Sequence, residues 1–332
     1  MTVREPTPRV LVTGATGFLG RRVVARLREH VEVRGTGRNP DQGRRLLEMG
    51  AEFVPADLTQ PDAVRGVAEG IDVVVHCAGL STPWGRWADF HTHNVGATGT
   101  ILAEAQRAGV RRFVHISTSS VYAQPRSQRA IPETAALPPP ANLYVRSKRS
   151  AERLVLESSL PSVILRPRGL FGPEDPAVLA RVVRALKDRR LPVLGSEDTT
   201  IDLTYVDNAA EAVRCAVVAP ESAMGGIYNV TNGEPIPLWP AIRTLAARLD
   251  LPPPGPRLPV SVVRGLAGLL EGWARMWPWA GEPRLTRYTV GLLAYSTTLD
   301  ISKARSQLGY EPLVSMEQGI DRYVDWLRRR EP

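Results

Sequence analysis

A phenol and an ammonium stand four residues apart in Tyr144-Val-Arg-Ser-Lys148. On a helix that spacing puts both side chains on one face, where they serve one site. A free tyrosine ionises near pH ~10, too high for ready proton exchange at neutrality. The adjoining ammonium, with the positive charge of an oxidised nicotinamide, favours the phenolate and predicts a lowered pKa. Tyr144 can then protonate a carbonyl oxygen during a reduction, or take the proton of an alcohol during an oxidation. Lys148 would also hold the nicotinamide ribose. Only Lys148, Lys187 and Lys303 are lysines among 42 basic residues, so a lysine in such a pair carries information. Tyr-x-x-x-Lys alone is common by chance. A second cluster strengthens it: His115-Ile-Ser-Thr-Ser-Ser-Val-Tyr122 ends an apolar run in hydroxyls that can hold a substrate oxygen beside Tyr144.

A third motif, Thr13-Gly14-Ala15-Thr16-Gly17-Phe18-Leu19-Gly20, lies between an apolar run and an amphipathic one. Gly14 permits a tight turn, Gly17 lets backbone N–H groups approach a pyrophosphate, and Gly20 allows close helix–strand packing. The spacing is Gly-x-x-Gly-x-x-Gly, and its place between a strand and a helix is the context a dinucleotide site needs. After the second predicted strand the chain reads Val33-Arg34-Gly35-Thr36-Gly37-Arg38-Asn39, without the carboxylate that holds a ribose 2′-hydroxyl. Arg38 suits a 2′-phosphate instead, so NADP(H) is expected, with NAD(H) as the alternative.

These motifs need a scaffold, and the hydrophobic pattern supplies one. Strands are predicted at Arg9–Thr13, Val31–Gly35, Ala51–Pro55, Ile71–Cys77, Arg111–Ser117 and Ser162–Leu165. Helices are predicted at Phe18–Glu29, Asp41–Met49, Pro61–Glu69, about Trp87–Ala108 and Leu143–Ser158. The strands are almost continuously apolar, as in a parallel sheet covered on both faces. Their alternation with helices predicts an α/β Rossmann fold, a doubly wound parallel sheet. Residues 1–172 are read as the NADP(H)-binding domain. Residues 173–332 are read as a smaller, mostly helical substrate lobe, with segments near 199–218 returning to the first domain. Pro252–Pro259 reads as a stiff linker, and Val260–Trp277 as a helix with Val263, Leu266, Leu270, Trp273 and Trp277 on one face.

Composition narrows the partners. The net charge of +8 is spread along the chain with no basic block interleaved with aromatics, which argues against nucleic acid. The start, MTVREPTPR, lacks a signal-peptide form, and no run reaches bilayer length. A cytoplasmic protein without stable membrane insertion is expected, contact with a membrane being peripheral at most. Cys77 and Cys215 sit in apolar runs and read as free thiols. His91 and His93 lack partners at ligand spacing, so no metal is expected. Asn229-Val-Thr231 reads as a strand end rather than a glycosylation site.

Taken together, TGATGFLG, Asp57-Leu58, HCAG, HISTSSVY, YVRSK and RPRGLFGP resemble the extended short-chain dehydrogenase/reductases, the NAD-dependent epimerase/dehydratase superfamily, over nearly the whole chain. The resemblance implies a catalytic set of Thr118, Tyr144 and Lys148. It implies cofactor contacts from Gly14, Thr16, Gly17, Phe18 and Leu19, an adenine contact from Asp57 with Leu58, and a loop under the adenine ribose from Cys77, Ala78 and Gly79. Asn94, Ser117, Pro167, Gly169 and Leu170 complete the implied cofactor site. A homodimer through paired long helices is likewise implied.

Two departures bear on substrate. Nucleotide-sugar enzymes of this superfamily carry an Arg where Ile201 stands here, and the sugar dehydratases an Asp-Glu pair where Ser119-Ser120 stand. Losing a guanidinium from a diphosphate site removes a strong contact. The element Leu80-Ser-Thr-Pro-Trp-Gly85 and the aromatics Trp273, Trp277, Trp279, Tyr288 and Tyr295 suit a hydrophobic pocket instead. The pattern is similar to the 3β-hydroxysteroid dehydrogenase branch and, within it, to bacterial 2-alkyl-3-oxoalkanoate reductases of olefin biosynthesis. That implies lipid metabolism: reduction of a hydrophobic β-keto acid or ketosteroid-like substrate. Ser81, Trp84, Trp273 and Trp277 are the substrate candidates, with Arg168 as either a carboxylate ligand or a structural ion-pair partner. A nucleotide-sugar epimerase/dehydratase and a non-catalytic NADP-sensing regulator are the competing readings.

Overall fold

The structure, a computed structural model, describes residues 8–277, 279 and 281–330. Its centre is a seven-stranded sheet in the order Gly226–Val230, Ser162–Pro167, Arg112–Ile116, Val73–His76, Arg9–Thr13, Glu32–Gly37, Glu52–Pro55, every pair parallel. Alternate residues of each strand feed two cores. Val10, Val12, Val75 and Val114 pack with Val23 and Val24 of helix Phe18–Leu27 and Ala212, Val213 and Ala216 of helix Val206–Val217. Leu11, Val74, Phe113 and Ile164 pack on the other face with Ile101 and Ala105 of helix Ala97–Arg107 and Val155 of helix Leu143–Glu157. Such double burial is why these strands read as unbroken apolar runs. The strand order reverses between Arg9–Thr13 and Val73–His76, and a doubly wound sheet opens its ligand crevice at that point, beyond the carboxyl ends of the strands.

Three expectations change. Pro61–Glu69 is helical only over Pro61–Val64, because Arg65 turns extended and Gly66 takes φ +85°. The long helix from Trp87 is three pieces, Trp87–Phe90, a π-helical turn His91–Gly96, and Ala97–Arg107. The wide turn carries Asn94 inward, where its amide bonds the Leu80 backbone and Ser147, and π-turns of this kind gather at functional sites. The Pro252–Pro259 segment is more than a linker, since Gly255–Leu258 pairs in parallel with Pro192–Leu194.

Helix Val260–Met276 also turns differently from its predicted face. Val263, Ala267, Glu271 and Ala274 are buried, whereas Val262, Leu266, Leu269, Trp273 and Met276 are more than half exposed. Two alanines let the helix pack closely on Arg287–Ala294, and Glu271 is drawn in by the Arg287 N–H at 2.7 Å and its guanidinium at 2.9 Å. Of the expected face Val263 is buried and Leu270 half-buried, while Leu266, Trp273 and Trp277 lie outward, so hydrophobicity alone does not fix the covered side. No helix among the described residues is long and apolar enough to cross a membrane. Cys77 and Cys215 are free. Asn229 is fully buried in its strand, accepting from the Tyr122 hydroxyl at 3.0 Å.

Candidate active site

The glycine-rich turn runs from the first strand into helix Phe18–Leu27. Gly14 has φ +62°, and a Cβ there would lie 2.8 Å from the backbone of Ala78. A Cβ on Gly20 would lie 2.1 Å from the Gly14 carbonyl. The turn and the loop after the fourth strand are therefore in backbone contact, which only glycine allows. No side chain caps the helix at Gly17, so its first N–H groups and the positive end of its dipole remain for an anion. These features fit the pyrophosphate of a dinucleotide.

The loop Cys77–Leu80 is held from both sides. Thr13 Oγ1 lies 2.7 Å from His76 Nδ1 and receives the Ala78 N–H at 3.3 Å. His76 Nε2 meets Thr98 Oγ1 at 3.0 Å, and burial pushes this imidazole down to about 3, so it is neutral. Asn94 Oδ1 accepts the Leu80 N–H at 2.6 Å, and its Nδ2 donates to Leu80 O at 3.1 Å and to Ser147 Oγ at 2.8 Å. Its amide clamps the loop to helix Leu143–Glu157.

At the far end of the crevice the strand Glu32–Gly37 delivers Arg38, exposed and without an ion-pair partner among the described residues. Asp57 accepts the Thr59 N–H at 3.0 Å and Oγ1 at 2.9 Å, and chiefly this backbone bond holds its carboxyl below the usual range. Leu58 beside it is buried, and a Cβ on Gly37 would meet Thr16 Oγ1 at 2.9 Å. Leu19 and Pro167 line one hollow with Ile116 and Leu165 at the base of the crevice. Phe18 is half-buried at the start of its helix. Gly169 takes φ +40° and Leu170 pairs with Thr204. Ser117 is buried with its Oγ unpartnered.

Asn142 opens helix Leu143–Glu157 by accepting the Val145 N–H at 2.8 Å, which places Tyr144 in the first turn and Lys148 one turn further. Lys148 is buried and donates to the carbonyl of Ile116 at 2.6 Å, just before Ser117 and Thr118. Helix and strand end are thus tied at the catalytic pair. Thr118 accepts the Ser120 N–H at 3.1 Å, and its hydroxyl, with that of Ser81, faces the Tyr144 phenol and favours its ionised form.

The electrostatics correct one expectation. Burial, helped by the neighbouring Tyr288, pushes the Tyr144 phenol up to about 12 rather than down. Burial also brings Lys148 down to about 8, against the pull of Glu152. An ammonium anchored on the Ile116 carbonyl and itself desolvated does not offset the phenol's burial in this state. At neutral pH Tyr144 is protonated. That is the form a proton donor needs.

Tyr288, from helix Arg287–Ala294, is expected only as one of the lobe's aromatics, yet its hydroxyl lies 2.7 Å from Ser120 Oγ, two residues beyond Thr118. Nothing in its local sequence distinguishes it. Trp84 lies beneath the Arg275 guanidinium at 5.4 Å, which joins the Ser81–Trp84 loop to the end of helix Val260–Met276. Trp273 and Trp277 stack on each other at 6.0 Å, with 53% and 38% of their surface exposed, on the outer side of that helix. Arg168 is buried, and no carboxylate lies within ion-pair distance of it among the described residues.

A model of the NAD dependent epimerase/dehydratase family matches residues 10–231. An uncharacterised Escherichia coli protein, YbjS, is 37% identical over 96% of this chain and 98% of its own. A 2-alkyl-3-oxoalkanoate reductase of Shewanella oneidensis is 31% identical over 94% of this chain and 84% of its own. Among solved structures, a Bacillus cereus UDP-glucuronic acid 4-epimerase in complex with NAD superposes with a TM-score of 0.74 at 22% identity, over 98% of this chain and all of that one, which shows a shared fold. With a family match over most of its length and a parallel sheet that carries the motifs to one edge, this chain belongs to the NAD-dependent epimerase/dehydratase family of extended short-chain dehydrogenase/reductases and is an NAD(P)-dependent oxidoreductase.

Proposed function

We propose that the protein is an NADPH-dependent reductase of a hydrophobic β-keto substrate. The observation that carries this reading is a neutral phenol, Tyr144, faced by the hydroxyls of Thr118 and Ser81 at the carboxyl edge of the sheet. The Shewanella reductase, similar over nearly the whole chain, supports the substrate class. Ile201 is buried in a short strand at the position where a sugar-diphosphate arginine is expected, and the buried Ser120 is engaged by Tyr288. Both weigh against a nucleotide sugar.

The nicotinamide, when bound, supplies a hydride to the carbonyl carbon. Gly14, Thr16, Gly17, Phe18 and Leu19 would hold the pyrophosphate, Asp57, Leu58 and Cys77–Gly79 the adenosine, and Ser117, Lys148, Pro167, Gly169 and Leu170 the nicotinamide end. Arg38 would pair a 2′-phosphate, the basis for preferring NADPH. Thr118 and Ser81 orient the keto oxygen, and Tyr144 gives it the phenolic proton. Lys148 favours the resulting phenolate, and its ammonium is a route for reprotonation. Trp84 borders the substrate loop. The exposed apolar side of helix Val260–Met276 gives an oily molecule a place to dwell beside that loop, and it is also where peripheral membrane contact or a second subunit would be sought.

Absorbance of NADPH with a long-chain β-keto acid tests the reading. Stoichiometric oxidation to the β-hydroxy acid is expected, with no reaction of UDP-glucose or UDP-glucuronic acid. Interconversion of a sugar nucleotide without net NADPH consumption would overturn it.

A further inference from the structure

Arg168 follows the strand Ser162–Pro167 at the edge of the sheet that carries the catalytic groups. Its backbone is fixed on both sides: the N–H donates to Val230 O at 3.0 Å and Thr204 Oγ1 at 3.2 Å, and the carbonyl accepts from Thr204 Oγ1 at 2.6 Å. The residue is 7% exposed. Arg166, two residues earlier and also buried, meets Glu152 through two bonds at 2.8 and 2.7 Å. Arg168 has no such partner; among the described residues no carboxylate lies within 4 Å of its guanidinium. The acid that acts on it from further off is Asp202, whose Oδ2 is taken by the Leu299 N–H at 2.7 Å while Oδ1 is buried and unpartnered. A buried guanidinium without a direct counter-ion is costly, and proteins keep one where a ligand completes it.

The neighbours say where that ligand sits. The Tyr288 hydroxyl meets Ser120 Oγ at 2.7 Å. Thr118, two residues before Ser120, faces the Tyr144 phenol. Ile116 pairs with Leu165 on adjacent parallel strands, so Thr118 and Arg168 leave the same edge of the sheet side by side. We propose that Arg168, assisted by Tyr288 and Ser120, binds a substrate carboxylate, so that the enzyme selects β-keto acids over neutral ketones and esters. The assignment rests on the reductase reading and narrows its substrate class. In a β-keto acid a single carbon separates the carboxyl carbon from the keto carbon, so a carboxylate held by Arg168 leaves the keto group little freedom of position. The planar fork of arginine matches a carboxylate through two bonds, which lysine cannot reproduce.

The test compares 3-oxododecanoate with its methyl ester under NADPH. The wild type is expected to favour the acid by about 100-fold in kcat/KM, the usual size of a charge-assisted contact. Arg168→Met brings that ratio near one, Arg168→Lys restores part of it, and Asp202→Asn keeps it. A ratio unchanged in Arg168→Met, or a wild type that reduces the ester as well as the acid, overturns the proposal. So does an equal loss on acid and ester in both Arg168→Met and Asp202→Asn, which marks a structural ion pair. A second arm needs no turnover: calorimetric binding of dodecanoate and dodecanol to the enzyme with NADP. Arg168→Met should weaken dodecanoate alone by a similar factor. If dodecanoate binding depends on Arg168 while neither keto compound is reduced, the anion site stands and the reductase reading falls. Dodecanoate binding indifferent to Arg168 refutes the site.

Discussion

Replacing Glu152 by alanine should cost the protein far more than one carboxylate on a surface helix would. Glu152 lies on the face of helix Leu143–Glu157 that carries Lys148, one turn further on, and is 4% exposed. Both its oxygens are used by Arg166, at 2.8 and 2.7 Å. Arg166, 2% exposed, gives its remaining nitrogen to the Tyr122 hydroxyl at 2.7 Å, and Tyr122 donates to Asn229 Oδ1 at 3.0 Å. Asn229 Nδ2 closes the chain on Ile131 O at 2.9 Å. Glu152→Ala leaves the guanidinium buried and unpaired, a situation that costs about 3–5 kcal/mol. For a chain of 332 residues that lowers Tm by roughly 4–7 °C. Urea denaturation followed by circular dichroism gives the free energy, and calorimetry gives Tm. Removing both ions, as Glu152→Leu with Arg166→Met, should recover most of the loss, because the penalty belongs to the orphaned charge and not to the pair. A Glu152→Ala loss under about 1 kcal/mol, or a double variant as unstable as the single, would refute this reasoning.

Other consequences are more local. Arg38→Ala should lower the preference for NADPH over NADH by about 10–100-fold, measured as the ratio of kcat/KM values, because one charge-assisted contact is lost and nothing is gained for NADH. An unchanged ratio would remove Arg38 from the cofactor site. Gly14→Ala should abolish dinucleotide binding by fluorescence titration, since its Cβ would lie 2.8 Å from the Ala78 backbone at φ +62°; retained affinity would mean the loop yields freely. Lys148, brought by burial down to about 8, carries its charge below that pH and loses it above. NADPH affinity should therefore weaken as pH rises through 8, and Lys148→Met should flatten the profile at the weaker level.

The sequence made much of the sheet readable, and the reason is physical. Runs such as Val10–Val12 and Val73–Val75 are buried on both faces, so their pattern survives any detail of packing. The catalytic pair was readable for a similar reason: four-residue spacing on a helix fixes a shared face. What failed depended on contacts between distant segments. The π-turn at His91–Gly96 exists because Asn94 reaches Leu80 and Ser147. The buried side of Val260–Met276 was set by Ala267, Ala274 and the Glu271–Arg287 pair, not by its largest apolar residues. Tyr288 reaches the site from 168 residues beyond Ser120. The pKa of Tyr144 was misjudged because spacing reports the neighbouring charge and not the burial around it.

The most direct test of the central claim is single-turnover kinetics of Tyr144→Phe with NADPH and a β-keto acid, alongside NADPH affinity. Removing the phenolic hydroxyl should slow the chemical step by about 100-fold or more while the dissociation constant stays within about threefold of wild type. A variant that reduces the keto group within about tenfold of the wild-type rate would show that the proton comes from elsewhere.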